Sequence, residues 1–204
     1  FFGVFICRKV KEAMHISPQI ITSGFGLSLF SSIRTLGFIK RNSYMFTNKN
    51  TLTQLFNSFV RSKLEYCSVT WCPSQLNLVK QIERVQKKFL KYLHRKLYHT
   101  NSKYLSYNAL LKQFKMSSLE HRRYIGDVHY MYKLLNNREN NNKLLSQLMF
   151  DVNAGFTRST NLFYLPKPRT ELYKNSPIYR LCSSCNKCKE LDVFCVTRRQ
   201  IKSK

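Results

Sequence analysis

The sequence predicts a mainly α fold: a small helical bundle with an irregular N-terminal segment and a proline- and cysteine-containing C-terminal tail. Two long amphipathic stripes and one capping pattern predict it. Between Thr51 and Tyr66 the apolar residues are Leu52, Leu55, Phe56, Phe59, Val60 and Leu64, the spacing of one buried helical face. Asn50 or Thr51 can cap its start through a side-chain oxygen. Tyr66-Cys67-Ser68-Val69-Thr70-Trp71-Cys72-Pro73 follows, and its proline closes one helix and introduces the next.

The second stripe runs from about Gln75 to His94 through Leu78, Val79, Ile82, Val85, Phe89, Leu90 and Leu93. Lys80, Arg84, Lys87, Lys88 and Lys91 lie largely on its other side, and Glu83 is the one acid of the segment. A shorter helix is predicted over Ser106 to Phe114. Another begins at Ser117, where Ser117-Ser118-Leu119-Glu120 has the form of a capping box, and continues through Ile125, Val128, Met131, Tyr132 and Leu135. An asparagine-rich run from Asn136 to Asn142 ends it. Composition therefore divides the chain into an apolar Ser/Gly-rich stretch over 1–35, a helical block over 36–137, an Asn-rich break with a short helix over 138–150, and a basic, irregular extension over 151–204.

Charge sets the class of partner. Lys and Arg number 35 against 10 acids in 204 residues, a formal net charge of +25. Yet 43% of residues are apolar, with 15 Phe and 12 Tyr, so this is a folding chain rather than a disordered polybasic tail. Self-repulsion of that size is most simply tolerated with a polyanion, nucleic acid first and an anionic membrane surface second. The most apolar stretch, Ile20 to Ile33, is uncharged over only 14 residues and holds several Ser and Gly, too little for a spanning helix. Seven Cys, four of them within 182–195, do not suit a secreted disulfide framework and point to a reducing, intracellular compartment, nuclear or cytoplasmic.

Leu36-Gly37-Phe38-Ile39-Lys40-Arg41, Phe59 through Pro73, Ile82-Glu83-Arg84-Val85-Gln86-Lys87-Lys88-Phe89 and Ser118-Leu119-Glu120-His121-Arg122-Arg123 form an ordered series. Together with Asp127 and Tyr132-Lys133-Leu134-Leu135 it closely resembles the region downstream of the catalytic palm in reverse transcriptases of jockey-type non-LTR retrotransposons. Phe2-Gly3-Val4-Phe5 and His15-Ile16 resemble the pieces between palm and thumb. The resemblance implies a palm-exit segment over 1–35, a helical thumb-like domain over 36–137, and a fragment that starts just after the polymerase active site. It also implies RNA or RNA–DNA duplex as partner, together with the polymerase palm if a longer product exists.

Polymerases of this family hold two metal ions with a Tyr/Phe-x-Asp-Asp turn and a third Asp. That chemistry needs carboxylates converging on ions about 3.5–4 Å apart. The chain has three Asp, at 127, 151 and 192, none beside another acid. No catalytic residue is therefore assigned, and no cofactor is expected in this fragment; the magnesium of intact relatives belongs to the palm.

The basic face formed by Lys80, Arg84, Lys87, Lys88 and Lys91 reads as phosphate contact in preference to a merely solvated face, because one acid stands against five bases. Arg122 and Arg123, near a helix start, oppose the helix dipole. Either an anionic ligand or an intramolecular partner such as Glu120 or Asp127 would offset that, and the sequence leaves both open. Trp71, Tyr66 and the Phe stripes follow apolar faces and read as core rather than base-stacking platforms, whereas Tyr104 and Tyr107 are expected to be exposed. Cys182, Cys185, Cys188 and Cys195 supply four thiolates that could hold zinc, although successive x2 spacings differ from the paired Cys-x2-Cys arrangement of structural sites. The competing readings are an inert or interaction-only remnant and a small metal-stabilised basic module.

Overall fold

The computed structural model describes residues 18–73, 75–99, 105–151 and 161–188, and the fold is mainly helical, with no strand among them. The chain falls into two compact units. The first takes in the described residues of 17–68 and 73–122, the second those of 69–72 and from 123 onward.

The first unit opens with α1, Pro18–Asn42, which runs through residues 18–35 where the sequence suggests irregular chain. Hydroxyls make the Ser-rich stretch compatible with a helix. Ser32 Oγ donates to the Ser28 carbonyl at 2.7 Å and Thr35 Oγ1 to that of Ser31 at 2.8 Å, so these polar groups need no solvent. Leu36 and Ile39 face the core. Helix α2, Lys49–Phe56, is capped by Asn48, whose side chain accepts the Asn50 N–H, rather than by Asn50 or Thr51.

A π-helical turn, Asn57–Arg61, joins α2 to the short α3, Ser62–Glu65. The buried residues Leu52, Phe56, Val60 and Leu64 recur every four positions. In an uninterrupted α-helix each such step drifts by about 40°, and three would carry Leu64 roughly 120° off the core. One extra residue in the π turn takes up about 100° of that drift and keeps the stripe in line. The same turn rotates Phe59 outward to 54% exposure, which corrects its place in the predicted buried stripe.

Helix α4, Leu76–Tyr98, buries Ile82, Val85, Phe89, Leu90 and Leu93. Phe89 stacks on Phe56 with centroids 4.1 Å apart and planes 7° from parallel. Helix α5, Tyr107–Phe114, starts at Ser106, whose Oγ accepts the Ala109 N–H, and buries Leu110 and Phe114. Both α1 and α5 pack on α4. Helix α6, Leu119–Leu135, begins in this unit. Its cap is Ser118, whose Oγ accepts the His121 N–H at 3.2 Å, one residue later than the box predicted at Ser117.

From Arg123 on, α6 belongs to the second unit. It ends where the Asn run predicts, with Asn137 in the left-handed region that Asn tolerates. Helix α7 is Asn142–Leu145, α8 is Glu171–Lys174 and α9 is Pro177–Lys187. Tyr130, Met131, Leu134, Leu144, Leu148, Phe163, Leu181, Cys182 and Cys185 make one core cluster. Helix α9 thus orders part of the tail that the sequence suggests is irregular. Its signals are local: Pro177 at the first turn, and Ser176 Oγ accepting the Tyr179 N–H. The Asn186 amide pairs with both backbone groups of Phe163, at 3.0 and 2.8 Å, where a neighbouring strand would otherwise do so.

Candidate nucleic-acid interface

Helix α4 carries the basic face. At 100° per residue, Lys80, Arg84, Lys87, Lys88, Lys91 and Arg95 fall within an arc of about 100°, extending along roughly 22 Å of axis. All but the half-buried Lys91 are exposed. None of the six enters an ion pair among the described residues. The buried stripe lies on the opposite side of the helix, which turns this arc to solvent.

Glu83, the one acid of the helix, points away from the arc. Its Oε2 accepts the Tyr107 hydroxyl and its Oε1 accepts the Glu120 N–H at 2.8 Å. Burial and the adjacent carboxylate push the Tyr107 phenol well above its ordinary range. Gln86, fully buried beside it, donates to the Tyr107 hydroxyl at 3.1 Å and to the Ser117 carbonyl at 2.9 Å. The half-buried Tyr107 is therefore a structural hydrogen-bond donor, not the exposed loop side chain the sequence suggests; Tyr104 lies outside the described residues.

Two cations of this surface escape the sequence reading. Arg95 continues the spacing of Lys88 and Lys91, but lies beyond the helix end placed at His94; the helix in fact runs four residues further. Lys40 arrives from α1, with its ammonium 5.5 Å from the Tyr92 ring centroid. Burial, and then the positive charges of Lys88 and Arg95, lower its pKa from the ordinary lysine value. Burial acts first here, and the two neighbouring cations add to it in the same direction. No spacing rule links residue 40 to residue 88; only the packing of α1 on α4 brings them together.

Arg122 and Arg123 are not part of this face. Glu65 holds the Arg122 guanidinium at both Nε and Nη2, the latter at 3.0 Å, and keeps it firmly protonated. Arg123, in the second unit, is 4% exposed and too deep for a phosphate in solution to reach. Its neighbour Asp127 accepts from Arg180 Nε at 3.0 Å, while burial pushes the Asp127 carboxyl up against the pull of both arginines. Glu65, far off in sequence, takes Arg122, while Asp127, one of the partners weighed for the pair, is bonded by Arg180 and forms no ion pair with Arg123 among the described residues.

The cysteines are placed by α9. Cys182 and Cys185 are buried in the second unit's core, and burial pushes their thiols up to about 11 and about 12. Cys188 follows the helix end, and Cys195 lies outside the described residues. Among the described residues no group of three or more His, Cys, Asp and Glu side chains is disposed to hold a metal ion. Nor is any described helix long and apolar enough to cross a membrane. Comparison with known protein families, curated proteins and solved structures finds no match to this chain.

Proposed function

We propose that the first unit grips RNA or an RNA–DNA duplex along its phosphate backbone, and that the chain is the thumb and connection region of a jockey-type reverse transcriptase, with no polymerase chemistry in these residues. The observation that carries the grip is the α4 arc: Lys80, Arg84, Lys87, Lys88, Lys91 and Arg95, without an ion pair among the described residues, with Glu83 occupied elsewhere. Cations so placed displace condensed counterions, which gives affinity indifferent to base sequence. The lineage rests on the ordered blocks from Leu36 to Leu135.

Fluorescence anisotropy of a labelled duplex titrated with salt tests the grip. Six phosphate contacts, one per cation of the arc, give a log–log slope of about −5 on duplex DNA, and Lys87→Ala with Lys88→Ala should flatten it by about 2. An unchanged slope in that double variant would remove α4 from the interface, and absence of salt-dependent binding would leave an interaction-only remnant.

A further inference from the structure

Helix α1 shows a second surface that the grip does not use. Leu27, Phe30, Ile33 and Phe38 are 73%, 61%, 42% and 61% exposed. With Arg34 and Arg41 they occupy one side of the helix, opposite Leu36 and Ile39. Arg34 lies over the Phe30 ring, its Cζ 5.7 Å from the centroid. Arg41 leans over Gly37, its Nη1 3.5 Å from where a Cβ would stand, and the two residues help line an open groove of about 470 Å³. No acid occurs anywhere in the 25 residues of α1, and neither arginine enters an ion pair among the described residues. Helix α1 also packs on α4, the helix of the basic arc: Lys40, three residues from Gly37, sets its ammonium 5.5 Å from the Tyr92 ring centroid.

We infer that this face of α1 is a stacking platform for unpaired nucleotides, continuous with the α4 grip, so that the preferred ligand is a duplex bearing a single-stranded overhang. Aromatic rings offer any base a π-face without reading its sequence, and arginines between the rings can meet the phosphates or stack themselves. Phe30 and Phe38 are eight residues apart, about 12 Å along the axis. A second copy of this chain is the poorer occupant, since it would bring the same arginines and a net charge of +25 against this face. The inference rests on the grip for its duplex half only.

The test compares a blunt RNA–DNA duplex with the same duplex carrying an overhang of about six nucleotides, within the range of single-strand sites, with a fluorescent purine analogue in the overhang. The overhang should tighten binding, and the analogue's emission should change on contact. Phe38→Ala should weaken overhang binding at least about fivefold, leave blunt-duplex binding unchanged, and be rescued by Phe38→Trp. Phe38 is exposed, so its truncation leaves the core intact. Equal affinity for blunt and overhang duplexes, or no effect of Phe38→Ala, overturns the platform while leaving the grip standing. Self-association abolished by Phe38→Ala, with overhang binding unaltered, overturns it in favour of a protein contact. If Lys87→Ala with Lys88→Ala spares blunt-duplex binding but the Phe38-dependent overhang contact persists, the grip fails and the platform survives.

Discussion

Tyr107 of α5 donates its hydroxyl to Glu83 of α4, and that bond removes the one acid of α4 from the surface on which its lysines lie. The same carboxylate accepts the Glu120 N–H at the first turn of α6, so one side chain joins three helices. A hydrogen bond to an ionised acceptor contributes more than a neutral one, about 1.5–3 kcal/mol. Tyr107→Phe should therefore lower the unfolding free energy by roughly that amount in urea titration. Because Glu83 stays tied to Glu120, the salt slope of nucleic-acid binding should not move. A change in slope without loss of stability would mean that Tyr107 itself contacts the ligand.

Burial of Tyr107 and of three other groups sets a pH dependence. Folding raises the phenol of Tyr107, takes that of Tyr124 up to about 12, and takes the thiols of Cys182 and Cys185 up to about 11 and about 12. Each group holds its proton more tightly folded than unfolded, so its contribution is complete below the unfolded value and is lost as pH rises toward the folded one. Stability should be flat in this respect up to about pH 8, where unfolded cysteine begins to ionise, and should then fall, with the tyrosines joining near pH 10. Urea midpoints between pH 8 and 11 follow this directly. Tyr107→Phe should show a shallower fall above pH 10 than the parent chain, and identical slopes would deny Tyr107 its raised phenol.

Much of the helical unit was legible because its elements announce themselves locally. The stripe of α4, the Ser106 start of α5 and the Asn stop of α6 each depend on residues within a turn or two. Phe59 was misplaced because a π turn is not encoded in apolar spacing; it reveals itself only when four-residue steps must stay on one core. In α1, Ser hydroxyls that look like helix breakers bond back to their own carbonyls. Five cations of the arc were readable as an i, i+4, i+7 pattern, and Arg95 required only a correct helix end. Lys40 was not readable, nor was the exposed side of α1, because both depend on which face another helix covers.

Arg122 separates charge that supports the fold from charge that is free to bind. Its guanidinium is tied to Glu65, with Arg61 3.9 Å from the same carboxylate. The pair is partly exposed, so Arg122→Ala should cost about 1 kcal/mol or somewhat less, not the several expected of a buried pair. The Lys87 and Lys88 substitutions should show the reverse pattern, with stability unmoved and binding weakened. Measuring thermal unfolding and the salt slope on both variants tests the assignment in one experiment. Weakened binding in Arg122→Ala at unchanged stability would return Arg122 to the interface.

Cys182 and Cys185 lie three positions apart on α9 and face the core that contains Met131, Leu134 and Phe163. In that setting a thiol behaves as a small apolar group, and burial resists the thiolate that a metal would need. Core packing predicts that a chelator leaves the melting temperature unchanged. It also predicts that Cys185→Ala costs only about 1 kcal/mol, whereas Cys185→Ser costs more because a hydroxyl is then buried in apolar surroundings. Zinc ligation by Cys182, Cys185, Cys188 and Cys195 predicts otherwise: about one zinc per chain, a melting temperature that falls on chelation, and equal damage from Ala and Ser, since either removes a ligand. The ratio of the Ala and Ser effects, read beside the metal content, therefore distinguishes a thiol that packs from one that coordinates.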